Sequence, residues 1–63
     1  MTVKELNREQ LILVKQHYLT MKNDEAGEGT SYLELAEADT LITDDEIFTA
    51  YADTDFTEGD FEQ

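Results

Sequence analysis

The sequence predicts an all-α fold, a small domain of three helices, one long and two short, with an acidic C-terminal tail. N-terminal capping residues at Asn7, Ser31 and Thr43 each precede a run of helix-compatible residues. The chain has 63 residues and no proline, and 40% of its residues are hydrophobic, which is enough for one small core. We expect a single helical domain over residues 1–52. Residues 53–63 form the tail, either loosely docked or disordered.

The first and longest helix begins after Asn7. Asn7 is placed to cap the helix, Gln10 stands at the third helical position, and Leu6 and Leu11 can form a hydrophobic staple. Apolar side chains then recur at helical spacing, which predicts a helix from Arg8 to Lys22 that buries one broad face. That face consists of Leu11, Val14, Tyr18 and Met21, widened by Ile12 and Leu19.

A second, short helix follows a loop over residues 22–30 that contains Gly27 and Gly29. Ser31 and Glu34 match a capping box, in which each side chain accepts from the other residue's backbone N–H. The predicted helix runs from Tyr32 to Ala38. Its expected inner face consists of Tyr32, Leu35 and Ala36.

The third helix begins after Thr43, with Glu46 at the third helical position and an Ile42–Ile47 staple. It is predicted to run from Asp44 to Ala52. We expect the first helix to pack against an apolar set from the other two, namely Leu35, Ile47, Phe48 and Tyr51.

The charge is distributed unevenly along the chain. The formal net charge is −12, and all Lys and Arg residues lie within the first 22 positions. Residues 23–63 contain 14 carboxylates and no Lys or Arg. This balance argues against direct binding to nucleic-acid phosphates or to an anionic membrane. Repulsion among the carboxylates also predicts that added salt or lower pH stabilises the fold.

Catalytic and metal-binding chemistry finds little support in the sequence. The absence of cysteine excludes a disulfide, a thiolate metal site and a cysteine nucleophile. His17 and Ser31 are the only histidine and serine, and Ser31 already has a capping role. A calcium loop opening at Asp53 fails on spacing, because Glu58 rather than glycine stands at its sixth position. We expect no enzyme, no cofactor and no dedicated metal site.

Aromatic side chains are interspersed among the acidic residues in the second half of the chain. Carboxylates at such density can imitate the phosphates of a nucleic acid, and aromatic rings can anchor the centre of an interface. The sequence therefore predicts a protein that binds a basic protein surface, including as a DNA mimic that blocks a nucleic-acid-binding protein. The helix dipole offers a plainer reason for the acids at the start of the third helix. The predicted partner-binding residues are Asp44, Asp45, Asp53, Asp55, Phe56, Glu58, Asp60 and Phe61.

The alternative is a structural or oligomeric accessory protein that dimerises through the apolar face of the first helix. Leu13 lies nearly opposite the inward stripe, where an exposed leucine can mark a contact with a second copy or another partner. Neither a signal peptide nor a transmembrane run is present in the sequence, so we expect a cytoplasmic protein.

Several segments resemble a group of short, acidic, uncharacterised proteins of intestinal bacteria. They are residues 2–11, 31–36, 38–39, 44–48 and 60–61, which together extend over nearly the whole chain. Proteins of this group tend to have Trp in place of Tyr32 and Gly in place of Leu33. The resemblance implies no activity, because the group has none assigned. Small acidic proteins of this kind are often associated with mobile elements, where inhibitors of defence nucleases also occur.

Overall fold

The computed structural model describes residues 1–61, which contain helices and no β-strand. The all-α prediction is therefore confirmed for this part of the chain. Four α-helices are present: α1 (Arg8–Glu25), α2 (Tyr32–Ala36), α3 (Ala38–Leu41) and α4 (Asp44–Ala50). Short 3₁₀ turns lie at Val3–Glu5 and Glu58–Phe61. The last two residues of the predicted tail, Glu62 and Gln63, lie outside the described residues.

All three predicted N-terminal caps are present. The Gln10 N–H donates to Asn7 Oδ1 at 2.8 Å, and the Asn7 N–H donates to Gln10 Oε1 at 3.1 Å. Ser31 Oγ and Thr43 Oγ1 each accept a backbone N–H three residues later, both at 3.2 Å. These bonds satisfy donors that the first turn of a helix leaves unpaired, so the helix starts follow from local sequence.

Helix α1 continues three residues beyond the predicted end at Lys22. It stops at a Schellman motif, in which the Glu28 N–H donates to the Asn23 carbonyl at 2.7 Å and the Gly27 N–H to the Asp24 carbonyl at 3.0 Å. Gly27 has a φ of 77°, the left-handed conformation that this motif requires. The glycine, and not the polar residues before it, therefore ends the helix.

The predicted second helix, Tyr32 to Ala38, is divided at Glu37, where the backbone leaves helical geometry. This break gives four α-helices instead of three, and it turns Ala38 into the core with no exposed surface. The expected inner face was wrong at two positions: Tyr32 is 92% exposed, and Ala36 is also exposed. The third predicted helix ends at Ala50 instead of Ala52, with Tyr51 as its C-cap.

Helices α2 and α3 return along α1 towards its N-terminus. Asn23 Nδ2 donates to Glu34 Oε2 at 3.1 Å, and farther along Gln16 Nε2 donates to the Leu35 carbonyl at 3.1 Å. Helix α4 packs against both α1 and the Val3–Glu5 turn. The buried apolar core between these elements consists of Val3, Leu11, Val14, Leu19, Ala38, Ile42, Ile47 and Phe56.

The inward stripe of α1 differs from the predicted one at its C-terminal end. Met21 was expected to be buried but is 46% exposed. Met21 lies seven residues, about two turns, after the buried Val14 and therefore shares its side of α1, but Leu19 is the last buried residue of this helix. Periodicity thus gives the correct side of the helix, and the exposure of Met21 shows that the core ends before this turn.

The segment after α4 is joined to the N-terminus. The Phe56 N–H donates to the Met1 carbonyl at 2.8 Å, and Phe56 is only 8% exposed. Phe61 packs against the same core as a partly buried ring. No helix within residues 1–61 combines the length and apolar composition needed to cross a bilayer.

Candidate protein-binding surface

The predicted partner-binding residues occupy three places in the fold. Asp44 belongs to an ion-pair cluster at the start of α4, and Asp45 lines a depression beside the N-terminal turn. Asp55, Phe56, Asp60 and Phe61 meet around a groove between α1 and the C-terminal segment. Asp53 and Glu58 are exposed on that same segment.

The ion-pair cluster surrounds Lys15, whose side chain is only 1% exposed. Its Nζ donates to Asp39 Oδ1 at 2.8 Å, to Asp44 Oδ1 at 2.6 Å and to the Asp39 carbonyl at 3.2 Å. Arg8 donates to the same two carboxylates, at 2.7 Å and 3.3 Å. The ammonium thus has three oxygen acceptors, which compensate for its removal from water.

This cluster changes the proton affinity of its members. Burial disfavours the charge of Lys15, but the hydrogen bonds that it donates to Asp39 and Asp44 outweigh that effect and raise the pKa of Lys15. The hydrogen bonds from Lys15, supported by Arg8, hold the pKa of Asp39 and of Asp44 below the ordinary value. Asp44 therefore uses its charge within the fold, although its side chain is 40% exposed.

A second pair joins α1 to α4 through Lys22 and Glu46, with 3.2 Å between Nζ and Oε2. Hydrogen bonds from Tyr18 and then Lys22 lower the pKa of Glu46, and the Glu46 contact raises the pKa of the Tyr18 hydroxyl. With Arg8 and Lys15, three basic side chains are thus paired with carboxylates of residues 39–46. These basic side chains therefore neutralise Asp39, Asp44 and Glu46, and of the other acids among residues 23–61 only Asp55 has an ion pair, with the Met1 ammonium.

The groove between α1 and the C-terminal segment has a volume of about 410 Å³. Its walls include Leu13 and His17 from α1, and Tyr51, Asp55, Asp60 and Phe61 from the other side. A row of aromatic rings runs from α1 into the groove: Tyr18, Tyr51, Phe56 and Phe61 follow one another with centroid separations of 6.1, 5.8 and 5.9 Å, and the last three line the groove. Such contacts between rings stabilise their arrangement beyond the effect of removing apolar surface from water.

The two carboxylates of the groove are held differently. Asp55 Oδ1 lies 2.9 Å from the Met1 ammonium, and its side chain is 88% exposed. Asp60 Oδ2 accepts the Thr57 N–H at 2.8 Å, which holds the 3₁₀ turn at Glu58–Phe61. No cation of residues 1–61 pairs with Asp60. The groove therefore presents one oriented, uncompensated carboxylate beside aromatic rings.

Asp45 belongs to a different surface from the groove. It lines a shallow depression of about 610 Å³ with Val3, Lys4 and Phe48. The Lys4 ammonium lies 5.9 Å from the Phe48 ring centroid, a cation–π distance. This depression thus carries charges of both signs, unlike the groove.

Sequence reasoning missed two features of these sites. Leu13 and His17 are four residues apart and therefore share one side of α1, but their place in the groove depends on how the C-terminal segment docks. The burial of Lys15 had a visible signal, because Lys15 lies four residues from both Leu11 and Leu19 within the apolar stripe.

The two residues considered for catalysis belong to different elements, His17 to α1 and Ser31 to the N-terminal cap of α2. Ser31 Oγ accepts the Glu34 N–H in the capping box of α2, whereas His17 lines the groove. Within residues 1–61, no three His, Cys, Asp or Glu side chains are grouped so that they could hold a metal ion. No protein-family model matches the chain, and no curated protein or solved structure is similar to it.

Proposed function

We propose that this chain is a protein-binding module that docks an acidic, aromatic-bearing face on a basic protein surface and there competes with nucleic acid. The face consists of the groove and the exposed acids of residues 53–61. Its partner is a protein whose basic groove otherwise binds nucleic-acid phosphates, because dense carboxylates reproduce that charge pattern.

The proposal is supported by a difference among the carboxylates: some form ion pairs within the chain, and others are exposed without one. Intramolecular cations neutralise Asp39, Asp44 and Glu46, which stabilise the contact between helices. Asp53, Glu58 and Asp60 are exposed and lack an ion pair among residues 1–61. Asp60 lines the groove together with the ring of Phe61, and an apolar anchor within a charged rim is typical of a protein interface.

The test compares the intact chain with a variant that neutralises this face. The variant carries four isosteric substitutions, Asp53→Asn, Asp55→Asn, Glu58→Gln and Asp60→Asn. Both chains are immobilised, exposed to a bacterial lysate cleared of nucleic acid, and washed with increasing salt and then with mixed-sequence duplex DNA. The proposal expects a retained basic protein that either salt or the duplex displaces, and no retention by the variant.

A matched control removes the same number of charges elsewhere. Asp24→Asn, Glu25→Gln, Glu28→Gln and Glu37→Gln alter exposed acids that form no ion pair among the described residues. This control should retain the same protein as the intact chain. Equal loss in both variants would show that total charge, and not this face, determines binding, and a retained protein that DNA cannot displace would contradict competition with nucleic acid.

The second candidate is an accessory protein that dimerises through α1. One observation favours it: Met21 is 46% exposed on α1, and Leu13 is only partly buried there. An apolar dimer holds or tightens as salt increases, whereas an electrostatic complex weakens. Light scattering across a salt series, repeated with Leu13→Ser, distinguishes the two candidates.

A further inference from the structure

We propose that the groove between α1 and the C-terminal segment receives a single arginine side chain of the protein partner. The inference rests on the proposed function and names the chemistry of its central contact. It is drawn from the shape of the groove, its aromatic lining and the position of its carboxylates.

The size and lining of the groove match a side chain instead of a long peptide. Its volume of about 410 Å³ is near the lower end of the range for small-ligand sites, roughly 300–1,000 Å³. Leu13 on the α1 side offers apolar contact for an aliphatic stem. Tyr51 and Phe61 supply aromatic surface on the opposite side.

The charges of the groove select a cation. Asp60 lines it without an ion pair, Asp55 lines it while paired with the Met1 ammonium, and no Lys or Arg side chain of the described residues lines it. The Asp60 carboxylate is oriented by the Thr57 N–H, which occupies Oδ2 and leaves its other oxygen available. A fixed carboxylate beside aromatic rings is complementary to a positively charged group.

Guanidinium fits this combination better than ammonium. It is planar, it stacks on aromatic faces, and its N–H groups can bind a carboxylate in a fork. It is also more weakly hydrated than an ammonium, so entry into a partly apolar groove costs less free energy. The groove therefore distinguishes arginine from lysine, which a diffuse acidic surface does not.

The experiment uses the full chain and two-dimensional NMR at neutral pH. The probe is the blocked peptide acetyl-Gly-Arg-Gly-amide, compared with the same peptide carrying lysine or the neutral arginine isostere citrulline. We expect shifts centred on Leu13, His17, Tyr51 and Phe61, with a dissociation constant on the order of 1 mM for so small a contact. The lysine peptide should bind several-fold more weakly, and citrulline should give no saturable shift.

Two variants test the two parts of the contact. Asp60→Asn keeps an oxygen that can accept the Thr57 N–H but removes the charge, and Phe61→Ala removes a ring. Each should weaken arginine binding by about fivefold, whereas Asp24→Asn should have no effect. Because Phe61→Ala can loosen the segment, an unaltered spectrum outside the groove is required before its result is used.

Three outcomes overturn the inference: equal affinity for arginine and lysine, shifts spread over all the acidic surfaces, or unchanged binding in Asp60→Asn. The lysate experiment separates this failure from that of the proposed function. If a basic protein is still displaced by DNA and still lost with the four-acid variant, the docking face stands and only its arginine contact is wrong. If the peptide binds but no protein is retained, the groove stands and the proposed function fails.

Discussion

Lys15 Nζ lies 2.6 Å from Asp44 Oδ1, although 28 residues separate the two in the chain. The contact joins the middle of α1 to the first turn of α4. Because Lys15 is almost fully buried while Asp44 remains 40% exposed, the two ends of the pair are unequal. The carboxylate can be hydrated without its partner, but the ammonium cannot.

Because the two partners differ in burial, neutralising the acids should lower the stability of the fold more than replacing Lys15. The double variant Asp39→Asn with Asp44→Asn leaves a buried ammonium without a countercharge and should lower the urea midpoint strongly. Lys15→Met replaces the cation by an apolar chain of similar length and leaves both acids near Arg8, so its loss should be clearly smaller. Urea unfolding followed by circular dichroism at neutral pH gives the ranking. The reverse order would mean that the Lys15 charge contributes more than its burial costs.

The pH dependence of stability should have two limbs. The unfolded-state pKa of an aspartate is near 3.8, and the folded-state pKa of Asp39 and Asp44 is lower because of Lys15 and Arg8. Their stabilisation is therefore complete above pH 3.8 and is lost as pH falls through the lowered values. Repulsion among the many carboxylates destabilises the fold at neutral pH, and it stays nearly constant until carboxylates begin to protonate below about pH 5.

We therefore expect stability to change little between pH 7 and about 5, and then to decline in acid. Urea midpoints measured across this range test the profile. In the Asp39→Asn, Asp44→Asn double variant the acid decline should be shallower, because two of the protonating groups are absent. If stability declined equally steeply in the variant, the loss of stability in acid would come from other carboxylates, such as Glu46, whose pKa is also lowered.

Salt should stabilise this protein despite its ion pairs. The net charge is −12, so screening weakens more repulsion than attraction. We expect the Tm to rise between about 10 mM and 200 mM sodium chloride, where the Debye length falls from about 30 Å to below 10 Å. The variant Asp24→Lys with Glu28→Lys carries less net charge and should show a smaller rise. A Tm that stays constant or falls would contradict self-repulsion as the dominant electrostatic effect.

Features that depend on neighbouring residues in the sequence were predicted correctly, whereas several features that depend on tertiary packing were not. The caps at Asn7, Ser31 and Thr43 depend on residues within one turn, and all three were predicted correctly. The break at Glu37 has no glycine or proline to announce it, and it depends on Ala38 entering the core.

The candidate site shows the same division. Asp55, Phe56, Asp60 and Phe61 are close in sequence, so their grouping needed little long-range information. The α1 wall of the groove could not be predicted, since Leu13 was interpreted as an exposed leucine or as a contact with a second copy or another partner, and not as a contact of the C-terminal segment. Its role depends on the docking of a segment more than 40 residues away, for which hydrophobic periodicity gives no signal.

Gly27 should be the glycine least tolerant of substitution. Its φ of 77° lies in the left-handed region, so Gly27→Ala should lower the free energy of unfolding by about 1 kcal/mol. Gly29 provides the matched control, because it has no positive φ and an added Cβ would meet no atom within 4 Å. Gly29→Ala should therefore leave stability unchanged or slightly increased. Similar losses at both positions would indicate that loop flexibility, instead of the helix-ending conformation, determines the effect.

Phe56 should tie the C-terminal segment to the core, and Phe61 should contribute much less. Phe56 is 8% exposed, its ring packs on Tyr51 at 5.8 Å, and its N–H is bonded to the Met1 carbonyl. Phe56→Ala should therefore lower the free energy of unfolding by about 3 kcal/mol or more, as for other buried phenylalanines. Phe61 is only partly buried, so Phe61→Ala should lower it by about 1 kcal/mol. Urea unfolding measures both, and if Phe56→Ala proved as mild as Phe61→Ala, residues 53–61 would be an appendage that folds after the helices instead of part of their core.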